Sequence, residues 1–188
     1  MLNLVTKNRS YRRFVQGYAI ARETLAELVN LARLSASAAN KQPLKYILSC
    51  ETEKNAVIFG TLAWAAYLRD WKGPADGERP AAYIIVLNDT GVGSAYCHVD
   101  LGIACQSILL GAVNMGLGGC VLASVNRERL RKELDIPEQF EVLAVVALGK
   151  PAETVVIERF EGDIKYWRDP DGVHHVPKRS LAEVIIEL

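Results

Sequence analysis

Leu101–Asn126 reads LGIACQSILLGAVNMGLGGCVLASVN, and no charged residue occurs between Asp100 and Arg127. A run of this length could cross a bilayer by the rule of about 20 apolar residues. Gln106, Ser107, Asn114 and Ser124 interrupt its apolar character, and Gly116, Gly118 and Gly119 break it at GLGG. The reading that fits is a helix buried on most sides, starting before Asp100 and ending at Gly116, then a strand over Gly119 to Ala123. Gly102, Ala104, Gly111 and Ala112 would let another backbone come close. A helix apolar all round in so short a chain wants more cover than one subunit supplies, which predicts a homodimer and no membrane segment.

Outward from this helix the pattern mixes α and β. Leu25, Leu28, Val29 and Ala32 recur at i, i+3, i+4 and i+7, which predicts an amphipathic helix over Arg22–Leu34. KYILSC (Lys45–Cys50), AYIIVL (Ala82–Leu87) and VLAVVALG (Val142–Gly149) read as central strands covered on both faces. Asn126 can cap a helix from Arg127 to Leu134, stopped by Pro137. Ser180 and Glu183 form the S-x-x-E box of a last helix running to the C-terminus. Trp71–Pro80 and Glu161–Gly172 read as exposed loops. No repeat or linker divides the chain, so residues 1–188 are expected to form one domain.

Composition removes several classes. With 22 basic and 22 acidic residues among 188, the chain has no global field to gather nucleic acid or an anionic membrane. Cys50, Cys97, Cys105 and Cys120 form no C-x-x-C pair, and MLNLVTKNRSYRR lacks the apolar stretch of a signal peptide, so a cytoplasmic location with reduced thiols is expected. His98 beside Cys97, and His174 beside His175, are neighbours rather than helical i,i+4 ligand pairs, so no metal site is expected. GVGSAY and LGKP fall short of the Rossmann and P-loop patterns, and no G-x-S-x-G occurs. No side chain stands out as an activated nucleophile.

Three segments carry groups suited to anions or amide recognition. NRSYRRF (Asn8–Phe14) sets Arg9, Arg12 and Arg13 around Ser10, and arginine forks suit phosphate or an electron-rich ring edge; a solvated basic face is the alternative. SASAANKQP (Ser35–Pro43) offers Ser37, Asn40 and Gln42, which can read a heterocycle or simply form a helix-end turn. VPKRS places Lys178 and Arg179 before a capped helix, favourable for phosphate, or a basic stub at a chain end.

In this order and spacing the segments resemble the FMN-dependent nitroreductase family. NRSYRRF is similar to its R-R-S-x-R-x-F, SASAANKQP to its P-S-x-x-N-x-Q-P, and DLGIACQSILLGAVNMGLGGCVL to its long D-x-G-x-A-x-Q run. ALGKP and VPKRS resemble its closing strand and tail, so the likeness spans Asn8 to Leu188. Two departures stand out: Asn8 where the family more often has arginine, and Leu44 where tryptophan often follows Q-P.

The resemblance implies an α+β fold, a central mixed, mostly antiparallel sheet flanked by helices, in an intertwined homodimer with FMN at each interface. It implies that Arg9, Ser10 and Arg12 contact the phosphate, ribityl chain and pyrimidine edge, and that Lys178 and Arg179 hold the phosphate. Ser37, Asn40 and Gln42 would face the cofactor from the partner subunit, and Leu122, Ala123 and Ser124 would present backbone N–H groups to flavin N5 and O4. Arg12 is the candidate for the positive group near N1 and O2. Trp64, Tyr67 and Trp71 fall where the entrance over the flavin is shaped, or else pack into the core. The implied activity is an NADH- or NADPH-dependent FMN oxidoreductase passing hydride through N5 to a flat acceptor, such as a nitroaromatic or quinone, with ping-pong kinetics and no catalytic side chain. The alternatives are a non-catalytic flavin-binding or storage protein, or a family relative acting in dehalogenation or flavin breakdown.

Overall fold

Residues 82–89 and 140–149 are apolar at nearly every position rather than at alternate ones, and a strand of that kind needs cover above and below. The computed structural model, which describes residues 1–187, places them at the centre of a four-stranded sheet. Its strands are β1 (Leu44–Ser49), β2 (Ala82–Asp89), β3 (Gly118–Leu122) and β4 (Phe140–Gly149), in the order β1-β2-β4-β3 with every neighbouring pair antiparallel. Successive β2 residues feed two cores. Ile84 and Val86 pack with Leu25, Leu28, Ile108 and Val146 on one face, and Tyr83, Ile85 and Leu87 pack with Ile58, Trp64, Leu130 and Val145 on the other.

Helices supply the cover. On the first face lie α2 (Arg22–Leu34) and α4 (Cys97–Asn114); on the second lie α3 (Thr52–Phe59) and α5 (Arg127–Glu133). A short α1 (Leu2–Lys7) precedes them. α2 has the bounds its periodicity predicts, and Asn126 accepts the Arg129 N–H at 3.1 Å as the cap of α5. α4 is long and apolar enough for a membrane span by composition, with mean hydropathy 1.2. In the fold it packs closely on α2: a Cβ at Gly111 would stand 2.4 Å from Leu31 Cδ1. After β4 the chain forms a second, three-stranded sheet from β5 (Val155–Arg159), β6 (Trp167–Arg168) and β7 (His174–Lys178), in which β5 and β7 are parallel.

Two expectations change. The KYILSC run forms β1, which pairs only with β2 and is therefore an edge strand, half-buried over most of its length. The last helix is a single 3-10 turn, Leu181–Glu183, although the Ser180 N–H does donate to Glu183 Oε2 at 2.8 Å. Val184, Ile185 and Ile186 are exposed, so no apolar face is buried to support further turns, and β-branched residues add little intrinsic helicity. The predicted end of that helix at Leu188 lies outside the described residues.

Gly119 decides how closely β3 can approach β4, since a Cβ there would lie 2.3 Å from the Ala147 carbonyl oxygen. Backbone cannot yield as a side chain can. Gly119→Ala is expected to destabilise the fold by about 2–3 kcal/mol through overpacking, read as a lower urea midpoint at unchanged m-value.

Candidate functional site

The arginine-rich N-terminal segment is laid across the ends of β3 and β4. Tyr11 N–H donates to the Gly119 carbonyl at 3.1 Å, and Val15 N–H donates to that of Lys150 at 2.8 Å. Phe14 is fully buried against Gly149, whose missing side chain makes the room. Glu153, its side chain wholly buried, accepts the backbone N–H groups of Arg12 and Arg13 and the Arg168 guanidinium at 2.7 Å. Arg13 is engaged by Glu78 through a two-pronged ion pair. Among the described residues Arg9 and Arg12 meet no carboxylate: Arg9 donates to the Val5 carbonyl at 2.9 Å while its Nε is buried without a partner there, and Arg12 donates to the Ser10 carbonyl at 3.2 Å.

Two cavities meet at Arg12. The first, of about 220 Å³, is lined by Asn8, Arg9, Ser10, Arg12, Tyr166, His174, Val176 and Lys178. Three of these residues are cations and none is a carboxylate, which favours an anionic ligand. The second, of about 180 Å³, is lined by Arg12, residues 63–66 including Trp64, Val121, Leu122, Ala123 and Ser124. Ala123 and Ser124 lie beyond the last β3–β4 pair, Leu122 with Val145. Their carbonyls are occupied: Arg127 donates to Ala123 at 3.1 Å, and Ala63 N–H donates to Ser124 at 2.9 Å. Arg127 also reaches the Val142 and Leu143 carbonyls, pinning the turn to β4.

Ser37, Asn40 and Gln42 lie outside both Arg12 cavities; Ser37 and Gln42 line a separate one of about 250 Å³ with Tyr46 and Asp100. Ala39, Asn40 and Gln42 hold φ near +50°, a region costly for side chains other than asparagine and for which local strain is characteristic of binding loops. Buried Asp100 over-determines this shape by accepting Ser37 Oγ–H at 2.6 Å and Ala38 N–H at 2.9 Å, and Gln42 N–H donates to Ser37 Oγ at 2.9 Å.

The aromatic trio divides. Trp64 is both core and cavity wall, its Nε1 buried without a partner. Tyr67 is exposed with its ring centroid 5.0 Å from that of Tyr166, and Trp71 packs at the core margin under the Arg168 guanidinium. Lys178 faces the first cavity, whereas Arg179 lies over the Phe160 ring at 4.5 Å. Sequence reasoning missed Tyr166, His174, Glu153 and Arg127. Tyr166 lies in a stretch that reads as a polar loop, His174 reads only as the neighbour of His175, and no local pattern marks Glu153 as the carboxylate that anchors the arginine segment.

Comparison with known proteins places this geometry among relatives. Residues 5–150 match the nitroreductase family. A protein of Archaeoglobus fulgidus, provisionally named an NADH dehydrogenase/NAD(P)H nitroreductase, is 29% identical over 174 residues, covering 87% of this chain and 92% of its own. A similarly named protein of Methanothermobacter thermautotrophicus is 28% identical over 180 residues, covering 93% and 85%. The fold is shared with a nitroreductase-like protein of Streptococcus mutans at TM-score 0.74 and 12% identity, covering 100% of this chain and 97% of that one.

The adjacent histidines of β7 are tuned in opposite directions. His175 lies between Glu158 Oε1 at 2.8 Å and Asp169 Oδ2 at 3.2 Å, stacked on Trp167, and those carboxylates raise its pKa. His174 is lowered to about 4 by burial and by nearby Arg12, Arg168 and His175. Between pH 4 and 6.5 the unfolded chain protonates residue 174 and the folded chain does not, so stability rises with pH. Above 6.5 the folded chain keeps the His175 proton that the unfolded chain loses, so stability falls as pH climbs through the raised value. Denaturant titrations across pH 4–9 should show a maximum near neutrality, with the alkaline decline flattened in His175→Gln.

Proposed function

The chain belongs to the nitroreductase family, and from that membership we propose that it is an FMN-dependent oxidoreductase drawing electrons from NADH or NADPH. The observation that carries the reading is the cavity with three cations and no carboxylate, joined through Arg12 to a cavity walled by Trp64 and the Leu122–Ser124 turn. This donor set fits the group. Arg9, with its buried unpartnered Nε, offers with Lys178 the charge-assisted bonds a phosphate needs, and Ser10 adds a hydroxyl. Arg179, next in the chain, adds to the positive field.

Arg12 would meet the ring's pyrimidine edge, where a fixed cation favours the anionic reduced form, and the turn at Leu122, Ala123 and Ser124 would offer its N–H groups to the ring. FMN, when bound, would supply the redox chemistry that links NADH or NADPH to a flat acceptor such as a nitroaromatic or quinone, with ping-pong kinetics. Trp64, and Tyr67 beside Tyr166, would shape the approach to it, with Trp71 behind them at the core margin. The protein's own part is to bind, orient and tune, with no side chain acting as nucleophile.

A homodimer completes this site. The strained loop bearing Ser37, Asn40 and Gln42 lines neither Arg12 cavity, and in this reading it would face the flavin of the partner subunit. Tyr96, Val99 and Ile103 on or beside α4, and Leu181, Val184, Ile185 and Ile186 near the C-terminus, are exposed apolar groups for the subunits to bury.

An absorbance spectrum recorded anaerobically before and after adding NADH, then NADPH, tests the proposal: flavin bands that bleach support it. A protein that stays colourless after incubation with FMN overturns it, and one that binds flavin yet is bleached by neither nucleotide is a carrier instead. Lys178→Ala is expected to weaken FMN binding about tenfold, the scale of one charge-assisted bond, and Arg179→Ala by less. Sedimentation velocity should find a dimer that Val99→Asp converts to a monomer with loss of flavin.

A further inference from the structure

Arg12 is held in an uncommon way. Among the described residues no carboxylate lies within ion-pair distance of its guanidinium; Glu153 takes its backbone N–H instead and turns its other oxygen to Arg168. The guanidinium contacts the Ser10 carbonyl at 3.2 Å, the face of the Tyr166 ring at 4.8 Å and His174 Nε2 at 3.3 Å. All three partners are neutral electron donors.

The hydrogen-bond chemistry fixes the state of the histidine. A guanidinium only donates, so Nε2 of His174 must present its lone pair, and the ring proton resides on Nδ1. Among the described residues that Nδ1 has no partner, in a residue 1% exposed, so the contact to Arg12 is the hydrogen bond that orients the ring. The charged groups around the ring are Arg12 from the N-terminal segment, Arg168 from β6, His175 from β7 itself, and Glu153, which answers Arg168; Tyr166 stacks beside it at 5.1 Å. Burial, then the Arg12 and Arg168 guanidiniums and neighbouring His175, disfavour a further proton, which holds the ring neutral down to about pH 4.

We propose that His174 is a positioning residue that fixes Arg12 between the two cavities while leaving its charge un-neutralised for an anionic ligand. That the ligand is FMN rests on the function proposed above; the positioning itself does not. A carboxylate at position 174 would hold Arg12 equally well in space and cancel the charge, whereas an apolar residue would leave the charge and release the side chain. The imidazole does neither.

The test separates these roles. In the flavin-free protein, histidine nitrogen NMR should show His174 as the Nδ1–H tautomer with no titration between pH 5.5 and 8; an Nε2–H tautomer, or titration near 6.5, would overturn the proposal whether or not flavin binds. With FMN followed by fluorescence quenching, His174→Leu is expected to bind about tenfold more weakly and His174→Gln, which keeps an acceptor, within about threefold of the parent. His174→Glu should bind more weakly still and shift the midpoint potential of bound flavin to more negative values. Equal affinity in the Leu and Gln variants, each checked for native circular dichroism, would count against positioning. Absence of FMN binding in the parent would instead remove the flavin reading and leave the NMR result to decide.

Discussion

The buried carboxylate of Glu153 is the constraint on which the candidate site depends. It gathers two backbone N–H groups of the N-terminal segment and one guanidinium of the second sheet, so three distant parts of the chain are registered on a single side chain. A carboxylate removed from water is tolerated only when its oxygens are fully engaged, and Glu153 is engaged by one formal cation and two amide dipoles. Because Arg168 answers the charge, Arg12 is left free of it. The same device recurs at Asp100, where a buried carboxylate holds a loop of unfavourable dihedral angles by accepting from Ser37 and Ala38. In both places an acid tucked under the sheet's edge fixes a loop rather than acting on a ligand.

The sheet explains why these loops can be held so firmly. β2 and β4 are buried along nearly their whole length, so they give a rigid platform against which β3, with the Leu122–Ser124 turn at its end, and the Arg12 segment are held. Close approach at Gly118 and Gly149 brings Tyr11, Pro151 and Phe14 onto that platform, which is how a segment near residue 10 reaches strands more than a hundred residues later. α4 is less well covered, with apolar Val99 and Ile103 still facing outward.

Legibility followed the locality of the signal. Periodicity gave α2 residue for residue, and unbroken apolar runs marked β2 and β4, because those patterns depend on a few neighbouring side chains. β1 carries the same local character as a central strand, and only the tertiary arrangement makes it an edge. The C-terminal helix failed for the converse reason: its capping contact is local and present, but further turns require apolar surface that this chain does not offer. In the candidate site, the arginines and the Leu122–Ser124 turn could be found from their types and from resemblance to a family. Glu153, Tyr166 and His174 could not, since their roles exist only once β5–β7 fold back over the N-terminal segment.

His174 and His175 show how far sequence proximity is from equivalence. They are adjacent on one strand, so their side chains point to opposite faces of the small sheet. One meets two carboxylates and a stacking indole, and is held toward its charged form; the other meets two guanidiniums and is held neutral. His175 ties β7 to Glu158 of β5 and Asp169 beyond β6, securing the sheet from its outer side. The neutral one works on the inner side, where the same sheet closes over Arg12. A single alternation of strand geometry thus gives one residue to stability and its neighbour to the placement of a cation.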